Sequence, residues 1–130
     1  MAQTVAASFS SRKVRAEAKP AEESGIPDVL ASDVLVFALD GEKIDPAETD
    51  FREMFRAFHG INLAGKFAGL ISLDGNDSPS VFRDALKDTD IDVFAEVLDI
   101  PLRRIKRFRV RSWTGRFTRW FKDLTVESLL

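Results

Sequence analysis

The chain of 130 residues has no cysteine, no tyrosine and a single histidine, His59. Without cysteine it can form no disulfide, no thiolate metal site and no thiol nucleophile, which suits a reducing compartment. One histidine rules out a paired-histidine metal centre. Its place between a phenylalanine-rich stretch and Gly60 suits a helix end, where the backbone dipole favours an imidazole, better than a general base. No apolar run reaches the roughly 18–20 residues that a bilayer-spanning helix needs. Arg12, Lys13 and Arg15 are not followed by the apolar stretch of a signal peptide, so the chain reads as cytoplasmic with no membrane partner. Gly41 and Gly75 read as isolated glycines rather than a phosphate loop, and no internal repeat is evident. No Ser/His/Asp set can be assembled around one histidine. An enzyme is therefore not expected, and neither a cofactor nor a resident metal.

What is present is an uneven distribution of charge. Residues 1–27 carry four bases and three acids, residues 28–99 six bases and sixteen acids, and residues 100–130 nine bases and two acids. The middle is thus net −10 and the end net +7, within a total of −2. Residues 1–27 are poor in large apolar side chains and read as a flexible leader. Residues 28–100 read as a hairpin plus a helical domain, and residues 101–130 as a basic, aromatic C-terminal segment.

Val34-Leu35-Val36-Phe37-Ala38-Leu39 is an apolar, β-branched run, and Asp40-Gly41 after it predicts a tight turn returning through Glu42-Lys43-Ile44. Asp45-Pro46-Ala47-Glu48 is a helix start, and Phe51, Met54, Phe55 and Phe58 follow on one helical face, with His59-Gly60 as the stop. Asn62 predicts the start of a second helix with Leu63, Phe67, Leu70 and Ile71 inward, weakened by Gly65 and Gly69. Ser78-Pro79 opens a third helix carrying Val81, Phe82 and Leu86. Thr89 caps a short fourth with Ile91, Phe94, Val97 and Leu98 inward. The expected fold is mainly α: an N-terminal β-hairpin, a small helical bundle and a basic amphipathic C-terminal helix. Asp74, Asn76 and Asp77 miss the calcium-loop spacing, since Pro79 and Ala85 stand where glycine and glutamate are required. Asp84, Asp88, Asp90 and Asp92 read as a solvated face.

Leu102–Lys122 holds nine Lys or Arg residues, no acid and both tryptophans. Its first half fits a helix or a strand. From Ser112 the period is helical, with Trp113, Phe117, Trp120, Phe121 and Leu124 on one stripe. Arg103, Arg104, Lys106, Arg107, Arg109, Arg111, Arg116 and Arg119 could contact phosphates, which makes a small nucleic-acid-binding protein one alternative. The aromatics, however, share one face as they would in a core or a protein interface. Phe51, Phe55, Phe58, Trp113, Phe117, Trp120 and Phe121 are accordingly the candidate partner-binding side chains. Surplus apolar stripes and an exposed hairpin edge would also allow homo-oligomers.

Phe37-Ala38-Leu39-Asp40-Gly41-Glu42 resembles the F-x-L-D-G-E hairpin of tail assembly chaperones from long-tailed bacteriophages of actinobacterial hosts. Phe82, Leu86 and Asp88, followed by Phe94-Val97-Leu98, resemble the same family's F-x-x-x-L-x-D step. The resemblance spans about residues 34–100. It implies a non-catalytic protein of the host cytoplasm that binds the tape measure protein, helps recruit tail tube subunits and carries no catalytic residues or cofactor.

Overall fold

A parallel β-sheet lies at the centre of the chain. The computed structural model describes residues 25–39, 56–73, 78–101 and 107–129. In chain order the elements are α1 (Ile26–Ala31), β1 (Val34–Leu39), β2 (Phe67–Leu73), α2 (Ser78–Leu86), a 3₁₀ turn (Lys87–Thr89), β3 (Asp92–Val93), β4 (Leu98–Ile100) and α3 (Arg107–Leu129). β1 pairs in parallel with β2, from Val34 opposite Phe67 to Leu39 opposite Ser72. β2 pairs in parallel with β3 through Phe67 and Ala68, and with β4 from Ile71 opposite Leu98 to Leu73 opposite Ile100.

This overturns the mainly α expectation. Val34–Leu39 is a strand, but its neighbour is Phe67–Leu73 in parallel, where the hairpin reading needs an antiparallel return. Glu42–Ile44 lies outside the described residues. The helix expected from Asn62 is a turn followed by β2. Asn62 Oδ1 accepts from Ala64 N–H at 2.9 Å, Lys66 N–H donates to Leu63 C=O, and Gly65 takes the left-handed φ of 86°. All seven residues of β2 are buried. A strand covered on both faces shows a continuous apolar run instead of alternation, and such a run cannot be told from a buried helix by period. The fourth helix is absent as well: the 3₁₀ turn, β3 and β4 occupy its span. Asp90, in the left-handed region at φ 62°, turns the chain into β3.

Strand alternation divides the core into two layers. On one face, Leu35 and Phe37 of β1 and Ala68 and Leu70 of β2 meet Val29 of α1, Phe82 and Leu86 of α2, and Phe58. The rings of Phe37 and Phe82 lie 4.8 Å apart. On the other face, Val34, Val36, Phe67, Ile71, Leu73, Leu98 and Ile100 meet Val110, Trp113, Phe117 and Phe121 of α3. Helices on both faces of a parallel sheet make a doubly wound α/β fold. The joins are local and polar. Asp28 Oδ2 accepts from Gly25 N–H at the head of α1, and Lys66 Nζ donates to Leu30 and Ser32 carbonyls at its tail.

α3 runs antiparallel to β2, since Phe121 and Trp120 meet Phe67 at the start of that strand while Trp113 and Phe117 lie over Gly69 two residues on. β3 and β4 are halves of one edge strand, split by Phe94–Val97. The split is anchored on α3: Trp113 Nε1–H donates to the Glu96 carbonyl at 2.9 Å, and Arg116 grips the Glu96 carboxylate with two nitrogens. That side-chain hydrogen bond, first of all, holds the Arg116 guanidinium more firmly protonated than usual. The pair is exposed, so its removal is expected to shift stability little.

Thr114 and Thr118 are buried on α3. The Thr114 hydroxyl donates to the Val110 carbonyl, whereas Thr118 Oγ1 has no partner among the described residues. A buried hydroxyl that makes no hydrogen bond only costs desolvation. Thr118→Val is therefore expected to be neutral or to stabilise by up to about 1 kcal/mol. A urea midpoint that falls clearly in the variant would show that the hydroxyl is satisfied.

Candidate functional site

In an open parallel α/β sheet the ligand crevice lies beyond the carboxyl ends of the strands, where connections leave to opposite faces. Here those ends line up. Leu39 sits one rung short of Leu73, and Leu73 is level with Ile100. The connections that follow β1 and β2 reach Phe58 and α2 on one face, whereas the connection after β4 leads to α3 on the other. The floor of this edge is apolar: Leu73 and Ile100 are buried, and Ala38 packs beside them. α3 starts from the same edge because it runs antiparallel to the strands, and this brings exposed Arg107, Phe108 and Arg109 there.

Three sequence segments leave this edge: 40–55, 74–77 and 102–106. All three lie outside the described residues. The first two are acidic and begin with Asp40-Gly41 and Asp74-Gly75; the third carries Arg103, Arg104 and Lys106. A repeated signal marks the first two. Leu39-Asp40-Gly41 and Leu73-Asp74-Gly75 each end an apolar strand, and each precedes a cap-and-proline helix start, Asp45-Pro46 and Ser78-Pro79. The second precedes a described helix, α2, and the first repeats its sequence signal, a pattern that accompanies parallel strands. Taken singly, the first resembles a hairpin turn and the second a failed calcium loop.

The candidate partner-binding aromatics separate. Phe58, Trp113, Phe117 and Phe121 are buried in the two core layers, and Trp120 is half-buried with its ring 5.2 Å from that of Phe94. Phe51 and Phe55 lie outside the described residues. Of the candidate phosphate contacts, Arg107, Arg109, Arg111, Arg116 and Arg119 are exposed on α3, while Arg103, Arg104 and Lys106 lie outside the described residues. His59 is exposed in the turn that ends a helical segment at Phe58.

A cavity of about 400 Å³ opens at the opposite, amino end of the sheet, among Arg83, Leu86, Lys87, Asp90 and Val93. Its cations are engaged elsewhere. Arg83 donates to the carbonyls of Phe94 and Ala95, and Lys87 pairs with Asp84. It is open and holds no convergent set of donors, so the carboxyl edge is the stronger site. Among the described residues no group of three metal-ligating side chains occurs, and no helix is long and apolar enough to cross a membrane.

No family model and no curated protein sequence matches the chain. Solved structures do. A short-chain flavodoxin associated with a PDU bacterial microcompartment superimposes with a TM-score of 0.77 at 16% identity, over 92% of this chain and 86% of that one. Flavodoxin 1 from Bacillus cereus gives 0.77 at 14% identity, over 91% and 86%. Flavodoxin 2 from the same organism gives 0.73 at 14%, over 90% and 86%. The fold is flavodoxin-like. This overturns the resemblance to phage tail assembly chaperones, which rested on a hairpin and a helical bundle that the chain does not form. The tape measure and tail tube partners, and the non-enzyme reading tied to them, fall with it. The nucleic-acid alternative gains no support. The C-terminal aromatic stripe is the inner face of the last helix of a flavodoxin-like α/β domain.

Proposed function

We propose that this chain is a flavodoxin-like redox carrier that holds a flavin nucleotide at the carboxyl edge of its sheet. The observation that carries the reading is the overlap with the short-chain flavodoxin, over 92% of this chain and 86% of that one, by a chain whose own sheet is parallel. A flavin nucleotide joins a flat tricyclic ring to a phosphate. The ends of β2 and β4, backed by buried Leu73 and Ile100, would give the ring a dry, apolar base. When bound, the flavin supplies one- or two-electron transfer. The chain's own part is to seat the ring, shield one face from water and set the charge around it.

Both tryptophans are committed to the α3 layer, and exposed Phe108 is an aromatic side chain at this edge. Ring stacking contributes about 1–3 kcal/mol per aromatic contact in nucleobase sites. The expected result is saturable binding of one flavin mononucleotide per chain with a Kd of about 10 µM or below, and quenching of its yellow fluorescence. Titration of the purified chain checks this, with hydrogen exchange as the map. Amides at the ends of β1, β2 and β4 should slow on binding, and those around Asp90 should not. No saturable change in flavin fluorescence or absorbance at 100-fold excess over about 1 µM protein would remove the proposal.

A further inference from the structure

The solvent-facing side of α3 carries cations that the fold does not use. Arg109, Arg119 and Lys122 are exposed, Arg116 between them is paired with Glu96, and the first acid after Arg107 is Asp123. At 3.6 residues per turn Arg109, Arg119 and Lys122 fall within about 140° of the helix circumference, with Asp123 inside that arc, and along the axis they span roughly 20 Å. Phe108, 73% exposed, stands in the same arc at the carboxyl-edge end of the helix. Residues 28–99 are net −10, so this face is a separate positive field rather than a share of a generally basic surface.

We propose that the outer face of α3 is the docking surface for an acidic protein partner, with which the chain exchanges electrons at the adjacent carboxyl edge. The second clause rests on the flavin reading; the first does not. Charge complementarity selects the partner: Arg109, Arg119 and Lys122 steer and orient an anionic protein surface, and Phe108 offers one apolar anchor at the end nearest the edge. Single-stranded nucleic acid fits less well, because both tryptophans pack on the core and leave no stacking platform beside the cations, and a duplex fits less well because exposed Asp123 would face its phosphates. An anionic lipid surface fits less well too, because Phe108 is the only large apolar side chain exposed on the described part of α3, too little to insert. A small, charge-steered interface suits a transient redox encounter.

The test uses the full chain, with and without flavin mononucleotide, and an acidic plant-type [2Fe–2S] ferredoxin as the probe. Binding is followed by fluorescence anisotropy at low and high salt. The expected result is saturable binding that weakens at least tenfold between about 50 and 500 mM salt. It should weaken by a similar factor in the triple variant Arg109→Glu/Arg119→Glu/Lys122→Glu and be retained in Arg109→Lys/Arg119→Lys. These side chains are exposed, and circular dichroism confirms that each variant is folded. Equal binding by the triple variant, no binding by the native chain, or tighter binding to a duplex of matched charge or to anionic vesicles would overturn the proposal. The flavin-free arm reads the docking surface alone, so failure of flavin binding and failure of docking give different results. In the loaded arm, electron transfer from the reduced ferredoxin should slow at least tenfold in Arg119→Glu/Lys122→Glu, whose two positions lie away from the carboxyl edge, while flavin affinity is unchanged.

Discussion

Gly69→Val should cost about 3 kcal/mol or more and leave little folded protein at 37 °C. Gly69 is in the middle of β2, buried on both sides. A Cβ atom there would stand 2.8 Å from Trp113 Cη2 and 3.0 Å from Phe117 Cζ. Neither ring can retreat. Trp113 is fully buried, stacked at 5.0 Å on Phe117 and tied through its N–H to the Glu96 carbonyl; Phe117 is wedged among Phe94, Trp120 and Phe121. The glycine is present because the indole lies directly on the strand, and the close approach of α3 depends on it. Gly69→Ala should cost less, about 1–3 kcal/mol. Trimming the indole in the alanine background, with Trp113→Phe, should return part of the loss, a coupling of at least about 0.5 kcal/mol. Urea unfolding of the four proteins measures it. Strict additivity would mean that α3 does not lie across β2 as described.

Trp113→Ala should be nearly as damaging, at about 3–5 kcal/mol. The substitution empties the centre of the aromatic layer and strips the Glu96 carbonyl of its donor. Trp113→Phe is milder: it keeps an aromatic ring in the layer but loses the five-membered part of the indole with its N–H, at about 1–3 kcal/mol. Both variants should speed hydrogen exchange at Phe94–Val97, the segment that splits the edge strand, more than in the α2 layer on the far side of the sheet. Uniform acceleration would show that Trp113 supports the domain as a whole and not this strand in particular. The same anchoring gives the split a structural purpose. Only two residues of β3 and three of β4 continue the ladder, and an edge strand so short and interrupted is a poor template for pairing with another chain.

Several elements are legible from local chemistry. Ser78-Pro79 opens a helix with Phe82 and Leu86 inward, Val34–Leu39 is a strand, and the apolar stripe from Trp113 to Leu124 is helical. Each carries its signal in its own residues: a cap and proline, a β-branched run, a period of 3.6. The errors arise where the signal depends on neighbours. Phe67–Leu73 looks helical because a strand buried on both faces loses its alternation. Ile91–Leu98 looks helical because the four residues that split the edge strand shift the spacing of its apolar positions. Asp40-Gly41 looks like a hairpin turn because two-residue turns favour that pair, yet the loops after parallel strands use it as well.

The sequence by itself determined where the chain is acidic, basic and aromatic, that disulfides and thiolate chemistry are excluded, and that Ser78-Pro79 and the stripe from Trp113 to Leu124 are helical. It also contained the repeated Leu-Asp-Gly ahead of a capped proline, which carries meaning only once the two strands before it are known to be parallel neighbours. Tertiary structure alone decided that partnership, because strand pairing joins residues some thirty positions apart and no local propensity encodes it. It also decided which side of the aromatic helix is core. α3 turns Trp113, Phe117 and Phe121 onto the sheet and leaves its cations in water, since burying the indole and phenyl rings is favourable and burying unpaired guanidinium groups is not. The same stretch of sequence that suggests a free interaction tail is thereby divided into an inner face that holds the fold together and an outer face available to a partner.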